Sequence, residues 1–191
     1  MRRLEYEVKD RRGSVLTLAN RLTILRILIT PLITVLLLYR YMGAALGLFV
    51  MAGITDGLDG LVARSWKQKT TLGMVLDPLA DKLLLTSAVI ALTILKELPR
   101  WFTIILVSRD VILIGGSVIL YMFLGKLGTP PSWIGKTTTG FQLATVLLAM
   151  LDNFVPGLNP AILPLAVLTL ALTVASGLDY VYRGARLLNE L

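Results

Sequence analysis

The 191-residue sequence contains no cysteine and no histidine. Without cysteine the protein has no disulfide, no thiolate metal site and no cysteine nucleophile. Without histidine, proton transfer near neutral pH must fall to Asp, Glu, Lys, Tyr or water. Charged residues are also few, at 16%, whereas 55% of the residues are hydrophobic and the mean hydropathy is +0.77. This composition is far from that of a soluble globular protein and predicts an integral membrane protein.

Six apolar stretches recur along the chain, separated by short breaks that are polar or contain Gly and Pro. A helix of about 20 apolar residues crosses the hydrocarbon core of a bilayer, and the stretches reach or approach that length. We therefore predict an all-α fold of six transmembrane helices, at about 22–39, 44–62, 75–95, 101–124, 133–151 and 161–182.

The distribution of Lys and Arg predicts the orientation of these helices. Most of the basic residues between spans fall on one side, and the other side has only Arg40, Lys96 and Arg100. By the positive-inside rule, both termini and the loop after the second span face the cytosol of a bacterial-type cytoplasmic membrane. Residues 1–20 mix basic, acidic and apolar side chains, which predicts an amphipathic juxtamembrane segment at an anionic lipid surface. Residues 21–191 would form one six-helix domain.

Four aspartates lie at the predicted cytosolic ends of the second and third spans, where charged residues are costly and usually mark function. Asp56 and Asp59 are spaced i, i+3, and Asp77 and Asp81 are spaced i, i+4, so each pair shares a helix face. The connection around 67–71 allows two helices to bring four carboxylates together. They would repel one another unless a cation lay among them. Such hard oxygen ligands suit Mg²⁺, Mn²⁺ or Ca²⁺.

The residues around the aspartates favour a phosphate-bearing substrate. Ions of this type commonly bind phosphate oxygens together with a few protein carboxylates. Gly60 and Gly73 lack side chains and let a ligand approach the backbone, and Ala63 is small. Arg64 offers a planar fork that matches a phosphate group. The aspartate region therefore predicts a metal-dependent site for a phosphate or a pyrophosphate.

Simpler interpretations of these charges remain open. Any one aspartate can be a helix cap or a solvated surface charge, with Asp-Pro at 77–78 marking a helix start. Arg26 and Lys82 can satisfy neighbouring acids or lipid headgroups. A cation transporter lined with carboxylates is an alternative of another class. Such a path would spread acids through the membrane depth, whereas these acids gather towards one face beside Arg64, which opposes cation entry.

The aspartate region also carries a resemblance to a known family. It reads Asp56-Gly-Leu-Asp59-Gly60-Leu-Val-Ala63-Arg64, then Gly73 after eight residues, Asp77 after three and Asp81 after three more. This pattern resembles the signature of the CDP-alcohol phosphatidyltransferase family at every position. The likeness extends over nearly the whole chain from Leu18, through the segments 19–26, 77–82, 135–137 and 176–180.

The resemblance implies a homodimeric, six-helix membrane enzyme with a cytosol-facing cavity that holds two divalent ions, Mg²⁺ or Mn²⁺. The partners would be CDP-diacylglycerol, an acceptor alcohol and membrane lipids, without nucleic acid. Asp81 would also be the base that takes the proton of the acceptor hydroxyl, which attacks the lipid-side phosphorus while CMP leaves. The metal ligands would be Asp56, Asp59, Asp77 and Asp81, and the donor-binding residues Asn20, Thr23, Gly60, Ala63, Arg64 and Gly73.

Three cations are candidates for binding the acceptor. Arg109 lies in the middle of the fourth span, where an arginine suggests a binding role. Together with Lys136, at the start of the fifth span, and Arg183, at the end of the sixth, it would hold an acceptor phosphate. The alternative is that Arg109 and Arg183 form internal pairs with Asp110 and Asp179.

Within the family, the sequence resembles two groups that differ in acceptor. The segments 77–82, 135–137 and 176–180 are similar to phosphatidylglycerophosphate synthases, whose acceptor is glycerol 3-phosphate. The segment 108–110, Ser-Arg-Asp, resembles cardiolipin synthases of the same family, which usually have Arg-Glu there and use phosphatidylglycerol. We expect glycerol 3-phosphate to be the acceptor, with phosphatidylglycerol as the alternative.

Overall fold

The structure, a computed structural model, describes residues 18–65, 71–124, 133–155 and 157–189. Side chains are described for 22–56, 76–118, 122, 133–155 and 157–186. The regular elements of these residues are all α-helices, and each predicted span falls on one of them, which confirms the all-α fold with six helices. Of the predicted juxtamembrane segment 1–20, residues 1–17 lie outside the described residues. The helices are α1 (Leu18–Leu38), α2 (Met42–Ser65), α3 (Thr71–Ile94), α4 (Arg100–Leu124), α5 (Trp133–Leu151) and α6 (Asn159–Asn189).

Three helices contain an internal proline, Pro31 in α1, Pro78 in α3 and Pro164 in α6. The interpretation of residues 77–78 as a helix start is therefore wrong, since α3 already begins at Thr71. An internal proline removes one backbone hydrogen bond, but hydroxyl groups of a membrane helix can bond to nearby carbonyls. In α1 the Thr30 hydroxyl donates to Arg26 O at 2.8 Å, whereas the carbonyl that Pro31 leaves without its helical donor is that of Ile27.

Helices α1 and α3 each end in a turn with the same pattern of backbone hydrogen bonds. After α1, Arg40 N–H donates to Leu37 O and Tyr41 N–H donates to Leu36 O, both at 2.8 Å. This is the Schellman pattern, which places one residue in the left-handed region, and here that residue is Arg40, with φ 61°. At the end of α3 the equivalent residue is Lys96, with φ 65°. Both turns thus carry a side chain where glycine is usual.

The described residues fall into two compact units, which divide within α3 between Ser87 and Ala88. In the first unit, α1 packs against α2. The buried apolar side chains of these two helices include Ile33 and Leu37 of α1 and Ala45 and Phe49 of α2, each at most 2% exposed. The first unit also contains the part of α3 that carries Asp77 and Asp81.

In the second unit, α6 packs against both α4 and α5. The apolar core includes Phe102 and Leu106 of α4 and Val146 and Met150 of α5, each at most 1% exposed. Between α5 and α6, buried polar side chains bond across the helices. The Thr145 and Thr169 hydroxyls are 2.9 Å apart, and Gln142 Nε2 donates to Thr173 Oγ1 at 3.3 Å. These bonds satisfy polar groups that would otherwise be costly in an apolar interior.

Where the structure describes the side chains, two helical segments are long and apolar enough to cross a membrane, Arg100–Val118 and Asn159–Arg186. Leu22–Leu38 and Met42–Asp56 are shorter apolar stretches within the described residues. Large apolar side chains remain exposed on these helices, for example Leu28, Val111 and Leu178, each more than 60% exposed. An apolar outer surface of this kind suits lipid rather than water.

Candidate active site

A buried arginine joins two of the predicted aspartates. Arg26 of α1 places Nη1 2.8 Å from Asp56 Oδ1 of α2, and the same nitrogen donates to Asp81 Oδ1 of α3. The Arg26 side chain is only 3% exposed, whereas Asp56 and Asp81 are 43% and 45% exposed. The interpretation of Arg26 as a partner of neighbouring acids is confirmed. One guanidinium thus compensates carboxylates from two helices.

A third aspartate is held by the same face of α1. The hydroxyl of Thr23, a residue that is 3% exposed, donates to Asp77 Oδ1. Thr23 and Arg26 are spaced i, i+3, and Asp77 and Asp81 are spaced i, i+4, so each pair lies on adjacent turns of its helix. Helix α1 therefore contacts Asp56, Asp77 and Asp81 through two polar side chains.

The sequence analysis did not predict that α1 contacts three of the aspartates, although the sequence contains a signal for it. Thr23, Arg26 and Thr30 follow one another at i, i+3 and i+7 in an otherwise apolar helix. That spacing is typical of a single helix face. All three residues are buried. A polar stripe on a predicted membrane helix therefore indicated a contact with other polar groups inside the protein.

The carboxylates suit a divalent cation by their chemistry and by their arrangement around Arg26. The Asp56 and Asp81 Oδ1 atoms both contact one nitrogen, so a cation placed between them would meet hard oxygen ligands from two helices. With Arg26 in that position, no group of three acidic side chains among the described ones converges closely enough to hold a metal ion. The Asp59 side chain lies outside the described residues. The oxygen ligands of Asp56 and Asp81 thus suit a metal ion by their chemistry, whereas the described side chains alone form no complete ligand set.

The predicted donor-binding residues flank this cluster along the chain. Thr23 is in contact with Asp77, as described above. The backbones of the other five lie in helices of the first unit, and their side chains are outside the described residues. They are Asn20 on α1, Gly60, Ala63 and Arg64 on α2, and Gly73 on α3.

Arg109, a predicted acceptor residue, is enclosed between α4 and α6. Its Nη1 donates to Asp110 Oδ1 at 2.8 Å, and its Nη2 donates to Ser176 Oγ of α6 at 2.9 Å. The side chains of Arg109 and Asp110 are each 10% exposed. The Nε of Arg109 is buried without a hydrogen-bond partner among the described residues. Arg109 therefore forms the internal pair with Asp110 and retains N–H groups that these two contacts do not use.

The other two predicted acceptor residues lie nearer the surface of the second unit. Arg183 Nε donates to Asp179 Oδ1 at 3.0 Å, and the Arg183 side chain is 42% exposed. The second internal pair therefore also forms. Lys136 is exposed, and its Nζ lies 5.2 Å from the centroid of the Trp133 ring, a cation–π contact. Each of the three cations thus has a partner within the protein.

A tyrosine beside Arg183 on α6 was not among the predicted site residues. The Tyr180 hydroxyl lies 2.6 Å from Ser117 Oγ of α4. Its ring covers Gly116, where an added Cβ would meet Tyr180 Cε1 at 3.0 Å. Glycine at 116 therefore allows the ring to approach α4 closely. No spacing in the sequence pairs residues 63 positions apart, so this contact required the structure.

A separate cavity of about 420 Å³ opens in the second unit, where α3 ends and α4 and α6 begin. Lys96, Arg100 and Asn159 are among the residues that line it. None of the predicted site residues contributes to this cavity. We therefore assign it no part in the chemistry of the aspartate region.

Comparison with known families identifies the kind of protein to which this geometry belongs. The profile of the CDP-alcohol phosphatidyltransferases matches residues 16–176, which include the whole aspartate signature. The chain belongs to the CDP-alcohol phosphatidyltransferase family. The predicted family and enzyme class are thereby confirmed, and the family is one of membrane-bound transferases of phospholipid synthesis.

Relatives of this CDP-alcohol phosphatidyltransferase fall into both expected groups. A probable cardiolipin synthase (CMP-forming) of Drosophila melanogaster is 37% identical over 194 residues, covering 92% of this chain and 60% of that protein. A probable phosphatidylglycerophosphate synthase of Mycobacterium tuberculosis is 35% identical over 181 residues, covering 92% and 85%. The human cardiolipin synthase (CMP-forming) is 34% identical, covering 89% and 62%. The chain therefore spans less than two thirds of the two cardiolipin synthases.

Proposed function

We propose that this protein transfers the phosphatidyl group of CDP-diacylglycerol to glycerol 3-phosphate, giving phosphatidylglycerophosphate and CMP. The observation that carries the proposal is the carboxylate cluster. The signature aspartates Asp56, Asp77 and Asp81 come from two helices and meet one polar face of α1. Charged side chains in a membrane helix are expensive unless function requires them. The family assignment favours this reaction over the cation-transport alternative.

The aspartates would hold the divalent cations of the reaction, Mg²⁺ or Mn²⁺ and two in number. Asp56 and Asp81 already lie around a common cation, Arg26, and Asp59 and Asp77 would complete the ligand set. Bound cations would neutralise the donor pyrophosphate and stabilise the charge that develops on departing CMP. Their role is supported by the chemistry of the ligands, which are all carboxylates.

Within this site, Asp81 is proposed as the base. Its carboxylate takes the proton of the acceptor hydroxyl as the hydroxyl oxygen forms a bond to the lipid-side phosphorus. The bond between that phosphorus and the CMP oxygen breaks, and CMP leaves with the electron pair. Before the substrates arrive, Thr23 contacts the Asp77 carboxylate and Arg26 contacts the Asp81 carboxylate. The donor would lie along the small residues Gly60, Ala63 and Gly73, with Arg64 on a phosphate.

The acceptor phosphate is proposed to bind at Arg109, Lys136 and Arg183. Two features support this assignment for Arg109. Its Nε is buried without a partner, and each guanidinium nitrogen at its end carries a second N–H. A phosphate that accepted hydrogen bonds from these groups would offset the cost of burying an arginine in a span. The name of the relative from Mycobacterium tuberculosis agrees with glycerol 3-phosphate as the acceptor, and the names of the two cardiolipin synthases agree with the alternative.

The proposal includes six membrane spans and a homodimer in a bacterial-type cytoplasmic membrane. Six helices with apolar outer surfaces support the span number. Most basic residues of the connections are predicted to lie on one side of the membrane, which supports a cytosolic active site and cytosolic termini. Residues 21–191 would form the single catalytic domain of each protomer, with 1–20 at the lipid surface.

Substitution of Arg109 tests the acceptor assignment. The wild type and Arg109→Lys are purified in lipid nanodiscs and assayed with CDP-diacylglycerol and either glycerol 3-phosphate or phosphatidylglycerol. We expect the KM for glycerol 3-phosphate to rise in Arg109→Lys by about tenfold, since an ammonium replaces a planar fork, while donor affinity hardly changes. Ser176→Ala, which removes only the Ser176 contact, should change this KM less.

Product lipids identified by mass complete that experiment. Phosphatidylglycerophosphate from glycerol 3-phosphate supports the proposed acceptor. Formation of cardiolipin without phosphatidylglycerophosphate would replace it with the phosphatidylglycerol alternative. Equal losses of donor and acceptor affinity in Arg109→Lys would assign Arg109 a structural role in its pair with Asp110.

A further inference from the structure

Arg26 occupies the position that a cation shared by Asp56 and Asp81 would need. Its Nη1 contacts the Oδ1 atom of each aspartate, and the Arg26 side chain is only 3% exposed. The contact therefore bears directly on how the carboxylates receive another cation.

A divalent ion and the guanidinium compete for the same oxygen atoms. Two cations in contact with one carboxylate oxygen would lie within a few ångströms of each other, where repulsion in a partly buried site is strong. The carboxylates are about half exposed, so a metal ion can reach them from the solvent side. Binding of the ion must then weaken or break the contacts of Arg26.

From these contacts we propose that Arg26 is an internal counter-cation that competes with the metal ion for Asp56 and Asp81. In the substrate-free protein it stabilises the carboxylates and lowers their affinity for divalent metal. The proposal rests on the metal site of the proposed function. Its consequence is that metal binds weakly until a second anion is present to receive the displaced guanidinium.

The donor pyrophosphate is the anion that suits the displaced Arg26. A guanidinium pairs well with phosphate oxygens through two parallel hydrogen bonds. Arg26 Nε is buried without a hydrogen-bond partner among the described residues. A shift of the guanidinium towards the pyrophosphate would let this Nε–H also donate a hydrogen bond. Arg26 would thus exchange one set of oxygens for another as metal and donor bind together, which couples the two binding events.

The test is the affinity of the substrate-free protein for Mn²⁺, measured from the electron paramagnetic resonance signal of the free ion. Wild type, Arg26→Gln and Arg40→Gln are compared in nanodiscs of uncharged lipid. We expect Arg26→Gln to bind Mn²⁺ more tightly by on the order of tenfold, within the usual range of coupling between sites. Arg40→Gln is the matched control, because it removes the same charge from an exposed residue just beyond α1. It should leave the affinity within about twofold of wild type, given the screening of exposed charges.

Unchanged or weaker Mn²⁺ binding in Arg26→Gln would overturn the proposal, and weaker binding would show that Arg26 orients the ligands instead. Arg26→Lys provides a second variant if Arg26→Gln does not fold. An ammonium spans two carboxylates less well than a guanidinium, so this variant should also bind Mn²⁺ more tightly, by a smaller factor. Weakened binding in Arg26→Lys would equally overturn the proposal.

A further variant separates failure of this proposal from failure of the metal site itself. Asp56→Asn should abolish Mn²⁺ binding if the carboxylates are the ligands. Loss of binding in Asp56→Asn, with unchanged affinity in Arg26→Gln, overturns only the role of Arg26. Equal Mn²⁺ binding by wild type and Asp56→Asn overturns the metal site, and the role of Arg26 with it.

Discussion

At the scale of single residues, the protein concentrates its polar chemistry where three helices of the first unit meet. Thr23 and Arg26 are almost completely buried. Of the aspartates that they contact, Asp56 and Asp81 are a little less than half exposed and Asp77 is partly exposed. Burial of the partners fixes the positions of the carboxylates, and exposure leaves them open to ligands. This division suits acids that must bind substrate rather than acids that only stabilise the fold.

Substitution of one aspartate tests whether the cluster is the site of the reaction. We expect Asp77→Asn to lower turnover at least 10²-fold, because the loss of one ligand charge weakens the stabilisation of the charge that develops on departing CMP. Turnover is measured as CMP released from CDP-diacylglycerol. Asp152→Asn, which makes the same chemical change at a residue whose carboxylate accepts a hydrogen bond from Asn159, is the control and should retain activity. More than about a tenth of wild-type activity in Asp77→Asn would contradict the model of the site.

At the scale of helices, the ends of α1 and α3 store backbone strain. Lys96 adopts φ 65°, a left-handed conformation that costs an ordinary residue roughly 1–2 kcal/mol. Glycine adopts it freely but loses more conformational entropy on folding. We expect Lys96→Gly to stabilise the protein by about 0.5–1 kcal/mol, seen as a higher thermal midpoint in detergent.

The matched variant for this substitution is Lys96→Ala. It removes the same charged side chain but keeps Cβ, so the strain of the left-handed conformation remains. It should not raise the thermal midpoint. A gain in Lys96→Ala equal to that in Lys96→Gly would show that removal of the side chain, and not relief of strain, is responsible.

The helices could be predicted from the sequence because apolar runs of membrane length leave few alternatives to helix. Their ends were less predictable. The predicted sixth span ends at about 182, whereas α6 continues to Asn189, since its last turns are polar and extend beyond the apolar run. The predicted third span begins at about 75, whereas the helix α3 begins earlier, at Thr71.

The candidate site was predictable in its acids, and Arg26 was a candidate for their partner, but which acids Arg26 and Thr23 contact was not predictable. Fixed spacing along α2 and α3 placed each pair of aspartates on one helix face. The contacts of Thr23 and Arg26 with those aspartates join residues more than fifty positions apart. Such contacts depend on how helices pack, which local periodicity does not specify. The pairing of Arg109 with Asp110 could be predicted from the sequence as an alternative, because the two residues are adjacent in the chain.

At the scale of the whole molecule, two compact units carry different parts of the proposed reaction. The first unit holds the aspartates with Thr23 and Arg26, and the second holds Arg109, Lys136 and Arg183. The proposed donor chemistry and the proposed acceptor binding are therefore assigned to separate units. Substitution of Arg109 should thus change mainly the KM for the acceptor, whereas substitution of Asp77 should change turnover.

The most direct test of the central claim is the release of CMP from CDP-diacylglycerol by the purified protein in nanodiscs. The account predicts that CMP and phosphatidylglycerophosphate form in equal amounts, and only when Mg²⁺ or Mn²⁺ and glycerol 3-phosphate are both present. Asp81→Asn should still bind CDP-diacylglycerol but release no CMP, because the proposed base is absent while most of the donor site remains. Full CMP release by Asp81→Asn, or no metal-dependent CMP release by the wild type with any acceptor alcohol, would contradict the account.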